Sequence, residues 1–165
     1  WQLETSSVIQ ASARIYYMPL IIRFKVKIDK LGCIHTTPAS GNFYLAIYSA
    51  LNEAPDERIA VSNNTVCNGT NQKEQVDITP SEISLTPSLY YVALEADNIT
   101  DAYWQSQKNI AQVRNPENVN NGPSFYIEDL PSYTQPPLTA SPEFSIGDGV
   151  ARTYLVWTRV SSVLA

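Results

Sequence analysis

One histidine and two cysteines are the side chains of this sequence best suited to covalent or metal chemistry. Cys33 and His35 are separated by one residue, and side chains on a strand alternate between faces, so a strand would place the thiol beside the imidazole. Such a pair could act as a nucleophile with its base, or as half of a metal site. A structural zinc site takes four ligands, mostly nitrogen and sulfur, whereas the chain offers three. The sequence therefore predicts no metal site and no cofactor.

The two cysteines also leave a structural choice open. A disulfide between Cys33 and Cys67 would close a loop and add on the order of a few kcal/mol to the free energy of unfolding. Alternatively, both thiols stay reduced and pack as small apolar side chains. We expect the reduced pair and keep the disulfide as the alternative.

Local catalytic motifs are missing from the sequence. A serine–histidine–aspartate triad would have to use His35, and the G-x-S-x-G, H-E-x-x-H, Walker A and G-x-G-x-x-G patterns do not occur. Grouped carboxylates lie beside turn-forming residues, where a solvated charge is the expected state: Asp56/Glu57, Glu95/Asp97, Glu128/Asp129 and Asp148. A glycosidase draws its two carboxylates from distant positions, so that class stays open as an alternative. We expect the protein not to be an enzyme.

Charge and composition argue against two further classes. The net charge is −5, with 11 basic residues scattered among 16 acidic ones, whereas nucleic-acid binding needs clustered Lys and Arg. No apolar stretch approaches the ~20 residues that cross a bilayer, so we expect no membrane insertion. Ten Tyr, three Trp and four Phe indicate a folded chain, and 165 residues fit one domain. Because the sequence starts at Trp1 rather than Met, we expect a processed chain or part of a longer one.

Short alternating or β-branched runs, separated by Pro, Asn and Gly, predict strands along most of the chain. The clearest is 22–28, which would point apolar side chains inward and three basic ones outward, either to blunt a sheet edge or to meet an acidic partner. The run 42–49 alternates as well, which predicts two sets on opposite faces: Phe43, Leu45 and Ile47 against Tyr44, Ala46 and Tyr48.

Three other segments complete the expected architecture. Residues 101–108 fit a short helix, 130–142 contain four prolines and predict an irregular extended excursion, and 152–160 form an apolar strand suited to a sheet centre. About eight to ten short strands without crossover helices predict an all-β fold, an antiparallel, jelly-roll-like β-sandwich. We assign residues 1–165 to this single domain, with an extended N-terminal arm over 1–18.

Several runs occur in an order that is similar to a known family: residues 26–32, 36–42, 45–49 (Leu-Ala-Ile-Tyr-Ser) and 85–94 (Leu-Thr-Pro-Ser-Leu-Tyr-Tyr-Val-Ala-Leu). This order resembles the β-sandwich domain of tailed-bacteriophage virion surface proteins, found at the tips of tail fibres and as head decorations. Ser88 stands where the family has Gly, and Tyr91 where it has Trp. The resemblance implies a non-enzymatic structural protein on the virion surface that assembles as a homotrimer.

The implied mechanism is binding, either to other capsid or tail proteins of the particle or to a host cell-surface glycan. Aromatic residues in turn-rich segments could stack on sugars or enter a subunit interface, and they could equally pack under loops: Tyr103, Trp104, Tyr126 and Tyr133. Together with three Asn-X-Thr sequons, these aromatics leave a secreted carbohydrate-binding module or lectin-like domain as the alternative.

Overall fold

Strands form the regular secondary structure of the described part of the chain. The computed structural model describes residues 3–8, 13–35, 41–67, 73–97, 102–106, 126–144 and 156–164, with the backbone alone for 3–8, 102–106 and 143–144. Its strands are β1 (Leu3–Val8), β2 (Arg14–Ile22), β3 (Val26–Ile34), β4 (Asn42–Leu51), β5 (Ala54–Ser62), β6 (Thr65–Val66), β7 (Lys73–Thr79), β8 (Ile83–Leu85), β9 (Ser88–Ala96), β10 (Ala102–Ser106), β11 (Tyr126–Asp129), β12 (Glu143–Phe144) and β13 (Val156–Val163). Their pairings are antiparallel, so the predicted all-β antiparallel class is confirmed.

Most of the strands form one continuous sheet that makes two layers. Its order is β12-β11-β2-β9-β4-β5-β7-β3-β13, with β6 beside β4 and β8 beside β3. We call the strands from β12 to β5 the first sheet, and β7, β3, β13 and β8 the second sheet. Val61 pairs with Thr79 and Ser62 with Ile78 where β5 meets β7, and this joint connects the two sheets. β1 and β10 pair separately as a two-stranded ribbon.

The main core lies between the two sheets. On β4, Phe43, Leu45 and Ile47 belong to this core, whereas Ala46 and Tyr48 pack on the opposite face, as the alternation predicts. The second sheet meets them with buried side chains from β3, β7 and β8: Val26, Ile28, Leu31, Cys33, Val76, Ile78, Ile83 and Leu85. A one-residue shift in strand pairing would expose each apolar set to water, at a cost of about 1.5–3 kcal/mol for each large aliphatic side chain. Burial therefore determines the register.

The proline-rich segment 130–142, which we call the strap, runs over the outer face of the first sheet. Prolines lack the N–H that a ladder needs, so the strap forms one isolated bridge and otherwise stays irregular, as predicted. Main-chain hydrogen bonds still tie it to β5: Arg58 N donates to the Leu138 carbonyl over 2.8 Å, and Ala140 N donates to the Asp56 carbonyl over 2.7 Å. The first sheet is therefore covered on both faces.

The single strand predicted over 22–28 is wrong. β2 ends at Ile22 and β3 begins at Val26, and Phe24, predicted to point inward, is 69% exposed in the turn between them. The reason is topological: β2 pairs with β9 in the first sheet and β3 pairs with β7 in the second, so the chain changes sheets within three residues. Local alternation continues through that turn and hides it.

The apolar run at the C-terminal end does not lie at a sheet centre. Its described part, β13, pairs with β3 and ends the strand order, so it is an edge strand. Val156 packs against the main core, and the Trp157 ring lies over Gly32 on the opposite face of the second sheet. Two half-buried faces, rather than two fully buried ones, account for the apolar composition of this strand.

Two further expectations are corrected near the ribbon of β1 and β10. The helix predicted over 101–108 is replaced by β10, whose partner β1 is almost a hundred residues earlier in the sequence. Within the range 1–18 expected to form an extended N-terminal arm, Leu3–Val8 form β1 of the ribbon, and Ile15, Tyr16 and Tyr17 on β2 are buried in the first sheet.

Candidate functional site

Tyrosine side chains dominate the outer face of the first sheet, beneath the strap. Three of them are fully buried and three are half-buried, and together they define what we call the tyrosine face: Tyr17, Tyr48 and Tyr91, then Tyr44, Tyr126 and Tyr133. Their rings meet edge to face or at a tilt, with centroids 5.2, 5.4 and 5.7 Å apart in the pairs Tyr17–Tyr48, Tyr44–Tyr133 and Tyr91–Tyr126. These geometries favour aromatic pairs beyond the area that they bury.

The strap is fastened to the tyrosine face through its carbonyl groups. The Tyr48 hydroxyl donates a hydrogen bond to the Pro137 carbonyl over 2.7 Å, and the Arg58 guanidinium donates to the Pro136 carbonyl. The Tyr133 hydroxyl donates to Asn64 Oδ1 over 2.7 Å, which holds the near end of the strap against the first sheet. Burial raises the pKa of the Tyr48 and Tyr133 hydroxyls above their usual range, so both remain neutral donors.

Two of the four aromatic residues singled out as binding candidates lie on this face. Tyr126 and Tyr133 use their rings to pack on Tyr91 and Tyr44, so they extend the outer cluster under the strap while keeping part of their surface exposed. Tyr103 and Trp104 lie on β10, opposite β1, and their side chains are outside what the structure describes. The structure therefore brings Tyr126 and Tyr133 to one surface.

Two glutamates are buried at the edge of the tyrosine face. Glu128 Oε2 accepts hydrogen bonds from the Tyr17 hydroxyl over 2.6 Å and from Ser141 N over 3.1 Å. Glu95 Oε1 accepts a long bond from Thr134 N over 3.4 Å, while its Oε2 is buried without a hydrogen-bond partner among the described residues. Both carboxyl groups therefore contact the strap, one near each of its ends.

Burial determines the protonation of Glu95. Its side chain has no exposed surface, and loss of hydration raises its pKa from 4.5 to about 7, with a further push from the charge of Glu128 and an opposing pull from Thr134 N. Ile15 pairs with Glu128 on one side and with Glu95 on the other, so the two carboxylates are two strand spacings apart, roughly 10 Å between backbones. A carboxyl that is neutral near pH 7 could donate a proton, but the strap covers both groups.

Sequence patterns assigned both glutamates to solvated turns, and that expectation is wrong. A signal was present for Glu95, because it follows Tyr91 and Ala93 at intervals of two residues and so shares their face of β9. Glu128 likewise follows Tyr126 by two residues and shares its face of β11, but its burial also depends on contact with the strap. Asp129, next to Glu128, is exposed as predicted and is paired with the guanidinium of Arg14 over 2.7 Å, whereas Asp97 is half-buried and accepts a hydrogen bond from Asn42 Nδ2 over 2.9 Å.

Cys33 and His35 lie together in the main core, as their spacing predicts. Cys33 Sγ is 3.5 Å from His35 Nε2, and Glu74 Oε2 is 2.9 Å from the same nitrogen. In a nucleophile–base–carboxylate relay the thiol and the carboxylate contact different ring nitrogens. One nitrogen accepts the proton of the thiol, while the N–H of the other donates to the carboxylate. Cys33 and His35 are also without exposed surface. This buried cluster therefore has the composition of a catalytic triad without its geometry.

Both cysteines are structural in this arrangement. Cys33 and Cys67 are buried in the main core and no disulfide joins them, so the expected reduced pair is present. Among the residues that the structure describes, no three His, Cys, Asp or Glu side chains are grouped so that they could hold a metal ion.

The outer face of the second sheet carries exposed ion pairs, and we call it the charged face. Its pairs link β3 to its neighbours: Arg159 with Asp29, Lys30 with Asp77, and Lys27 with Glu82. Ser161 Oγ donates to Glu82 Oε2 over 3.1 Å and extends the network along β13. Hydrogen bonds from Arg159 and Lys27 hold the pKa of Asp29 and of Glu82 below their usual range.

In the described part of the chain, no helix is long and apolar enough to cross a bilayer. Comparisons of the chain with protein-family models, with curated proteins and with solved structures found no match.

Proposed function

We propose that this chain is a non-enzymatic structural domain on the surface of a tailed-phage virion, where it acts by binding as a homotrimer. Its partners are other capsid or tail proteins, or a host cell-surface glycan. The proposal starts from the ordered sequence runs that resemble such domains and from the all-β sandwich, which has the class of fold that the resemblance implies.

The observation that carries the proposal is the spatial relation of the two most specific runs. The run at 45–49 lies on β4 and the run at 85–94 lies mostly on β9, and these strands are neighbours with Ile47 directly opposite Val92. Residues that are forty positions apart in the sequence therefore form one contiguous piece of the first sheet. Such contiguity is expected if the runs belong to one shared framework, and it would be a coincidence for unrelated short matches.

The reactive side chains of the described residues have structural roles, which supports binding rather than catalysis. Glu128 and Glu95 hold the strap, and the Cys33–His35 pair packs in the core, so each serves the fold from a buried position. Exposed apolar and charged side chains remain available for contact with partners. A rigid sandwich that presents such a surface suits a particle component.

The proposal is tested by locating the chain on particles. Antibodies raised against the purified chain should decorate tailed particles produced by the organism that encodes it, at the tail tip or over the head. Binding of the isolated chain to intact host cells, with reduced phage adsorption, would identify a receptor-binding domain, and binding to assembled shells alone would identify a head decoration. Unlabelled particles, together with binding of a monomeric chain to isolated glycans, would overturn the proposal in favour of the lectin-like alternative.

A further inference from the structure

Two turns of the first sheet lie at the same end of the sandwich. β9 begins at Ser88, opposite Ile22 at the end of β2. β4 is also antiparallel to β9, with Ser49 opposite Tyr90, so β4 likewise ends beside the start of β9. The connection from β2 to β3 and the hairpin from β4 to β5 are therefore at one height along the strands. Several of the exposed large apolar side chains gather there.

The connection from β2 to β3 forms an apolar surface with positive charge, which we call the basic patch: Ile21, Arg23, Phe24, Lys25 and Val163. Ile21, Phe24 and Val163 are 57%, 69% and 68% exposed. Arg23 and Lys25 flank Phe24, are exposed, and form no ion pair with any described residue. Leu164 N donates to the Lys25 carbonyl over 2.8 Å, which brings the end of β13 beside the turn.

The hairpin from β4 to β5, with the adjoining part of the strap, forms an apolar surface of opposite charge, which we call the acidic patch: Leu51, Glu53, Asp56, Glu57 and Leu138. Leu51 and Leu138 are 57% and 70% exposed. The three carboxylates make no ion pair within the described residues, and Arg58, which follows Glu57 in the sequence, donates instead to the Pro136 carbonyl.

The hairpin turn presents one of these carboxylates at a conformational cost. Asn52 and Glu53 both have positive φ, 52° and 66°, as a two-residue hairpin loop requires. Glycine is favoured at the second of these positions, and a side chain there is strained. The Glu53 carbonyl accepts a hydrogen bond from the Tyr91 hydroxyl, but its side chain is exposed and makes no ion pair with any described residue, which supports a role in an external contact.

We propose that the basic patch of one copy of this chain docks on the acidic patch of a second copy. Two unpaired cations would meet three unpaired carboxylates, and the exposed apolar side chains on both sides would be removed from water together. The patches do not overlap, since the first lies at the turn from β2 to β3 beside β13 and the second lies at the hairpin from β4 to β5 beside the exposed side of the strap.

The placement of the patches also bears on what such contacts build. A contact between two different patches is heterologous, and it generates a ring if the rotation between copies closes and an open filament if it does not. Here the patches share one end of the sandwich, and β9 alone separates β2 from β4, so they are offset sideways by about two strand spacings, roughly 10 Å. The number of copies, three, rests on the proposed function. The choice of surfaces that meet does not.

Charge reversal tests the contact without touching the core. The mass of the purified chain in solution is measured by light scattering after gel filtration, over a range of concentration and salt. The first variant carries Arg23→Glu and Lys25→Glu, the second carries Glu53→Lys and Glu57→Lys, and the third carries all four changes. Each of the first two variants has patches of like charge and should associate at least tenfold more weakly than the natural chain. The third variant has its complementarity restored, with the original net charge, and should associate again.

Three observations sharpen the reading of these masses. Lys73→Glu, an exposed reversal at the start of β7, is the control and should leave the mass unchanged. Phe24→Ala keeps all charges and should also weaken association, and circular dichroism should show each variant folded. Association that survives both reversals, or that the fourfold variant fails to recover, would overturn the patches as the interface while leaving a virion role intact. A natural chain that stays monomeric at high concentration would overturn the contact itself, and labelling of particles then decides the proposed function separately.

Discussion

The two outer faces of the sandwich treat charge in opposite ways. On the tyrosine face, Glu95 and Glu128 are buried and held by a few hydrogen bonds beneath the strap. On the charged face, carboxylates such as Asp29 and Glu82 remain at the surface, each beside a cation. Exposed ion pairs add little to stability, about 0–1 kcal/mol each, whereas buried side chains dominate it. We therefore expect most of the stabilising free energy outside the main core to come from the tyrosine face.

The largest contrast should come from Tyr48, whose side chain is fully buried on the tyrosine face. Tyr48→Ala should lower the free energy of unfolding by about 3–5 kcal/mol, the usual cost of removing a buried aromatic ring. Tyr48→Phe keeps the ring and removes the hydrogen bond to the Pro137 carbonyl, so it should cost about 1 kcal/mol. Urea denaturation measures both. If Tyr48→Ala lowered the free energy of unfolding by less than Tyr48→Phe does, the side chains beneath the strap would not form a packed core.

The second contrast is the sign of the pH dependence. The pKa of Glu95 is raised from 4.5 to about 7 in the folded protein. Its contribution to the free energy of unfolding is therefore fully present below pH 4.5 and is lost as pH rises through 7, on the order of 2–3 kcal/mol in total. Glu128 on β11 and Tyr133 on the strap face this carboxyl group. Asp29 and Glu82 have lowered pKa values, so the charged face loses its small contribution as pH falls.

Denaturation across this pH range, with Glu95→Gln beside the natural chain, separates the two effects. The glutamine variant cannot ionise, so its stability should be nearly constant between pH 5 and 8, where the natural chain becomes less stable. Parallel curves for the two proteins would show that Glu95 is not the group responsible.

A third change tests the one tightly packed aromatic side chain described on the charged face. A Cβ added at Gly32 would come within 2.4 Å of the Trp157 ring, so Gly32→Ala should displace that ring and cost about 1–3 kcal/mol. Tryptophan emission should shift to longer wavelength as the ring gains water. In a Trp157→Leu background the same substitution should cost less, and an equal cost in both backgrounds would contradict the predicted clash.

The smallest effect is expected from Arg159, which is exposed and paired with Asp29. Arg159→Ala should change the free energy of unfolding only slightly, and the difference should shrink in high salt. Denaturation at low and high ionic strength measures it. A cost that approaches that of Tyr48→Ala would erase the difference between the two faces.

Sequence reasoning recovered what depends on neighbours within one strand. The alternation on β4 correctly assigned Phe43, Leu45 and Ile47 to one face, because burial on either side of a sheet repeats every two residues. It did not reveal the turn at Phe24, where the same alternation continues while the chain changes sheets. The edge position of β13 and the strand state of β10 depend on partners far away in the sequence, which no local pattern encodes.

The candidate site divides along the same physical line. Cys33 and His35 could be placed together because they share one strand direction, whereas the arrival of Glu74 on the same ring nitrogen depends on the pairing of β3 with β7. Likewise, the burial of Glu128 depends on a strap whose prolines predict an extended shape but not the surface that it covers.

The strap is attached mainly through its own backbone, and this determines which changes the segment tolerates over evolutionary time. Amide groups of Thr134, Ala140 and Ser141 donate, and carbonyl groups of Pro136, Pro137 and Leu138 accept. A substitution that preserves the backbone path leaves these attachments in place, whereas inserting or deleting one residue would displace the attachments beyond it. Apart from Tyr133, whose ring and hydroxyl also hold the strap, the segment should therefore vary more in sequence than in length, and a library of insertions scanned along the chain should show a sharp block there.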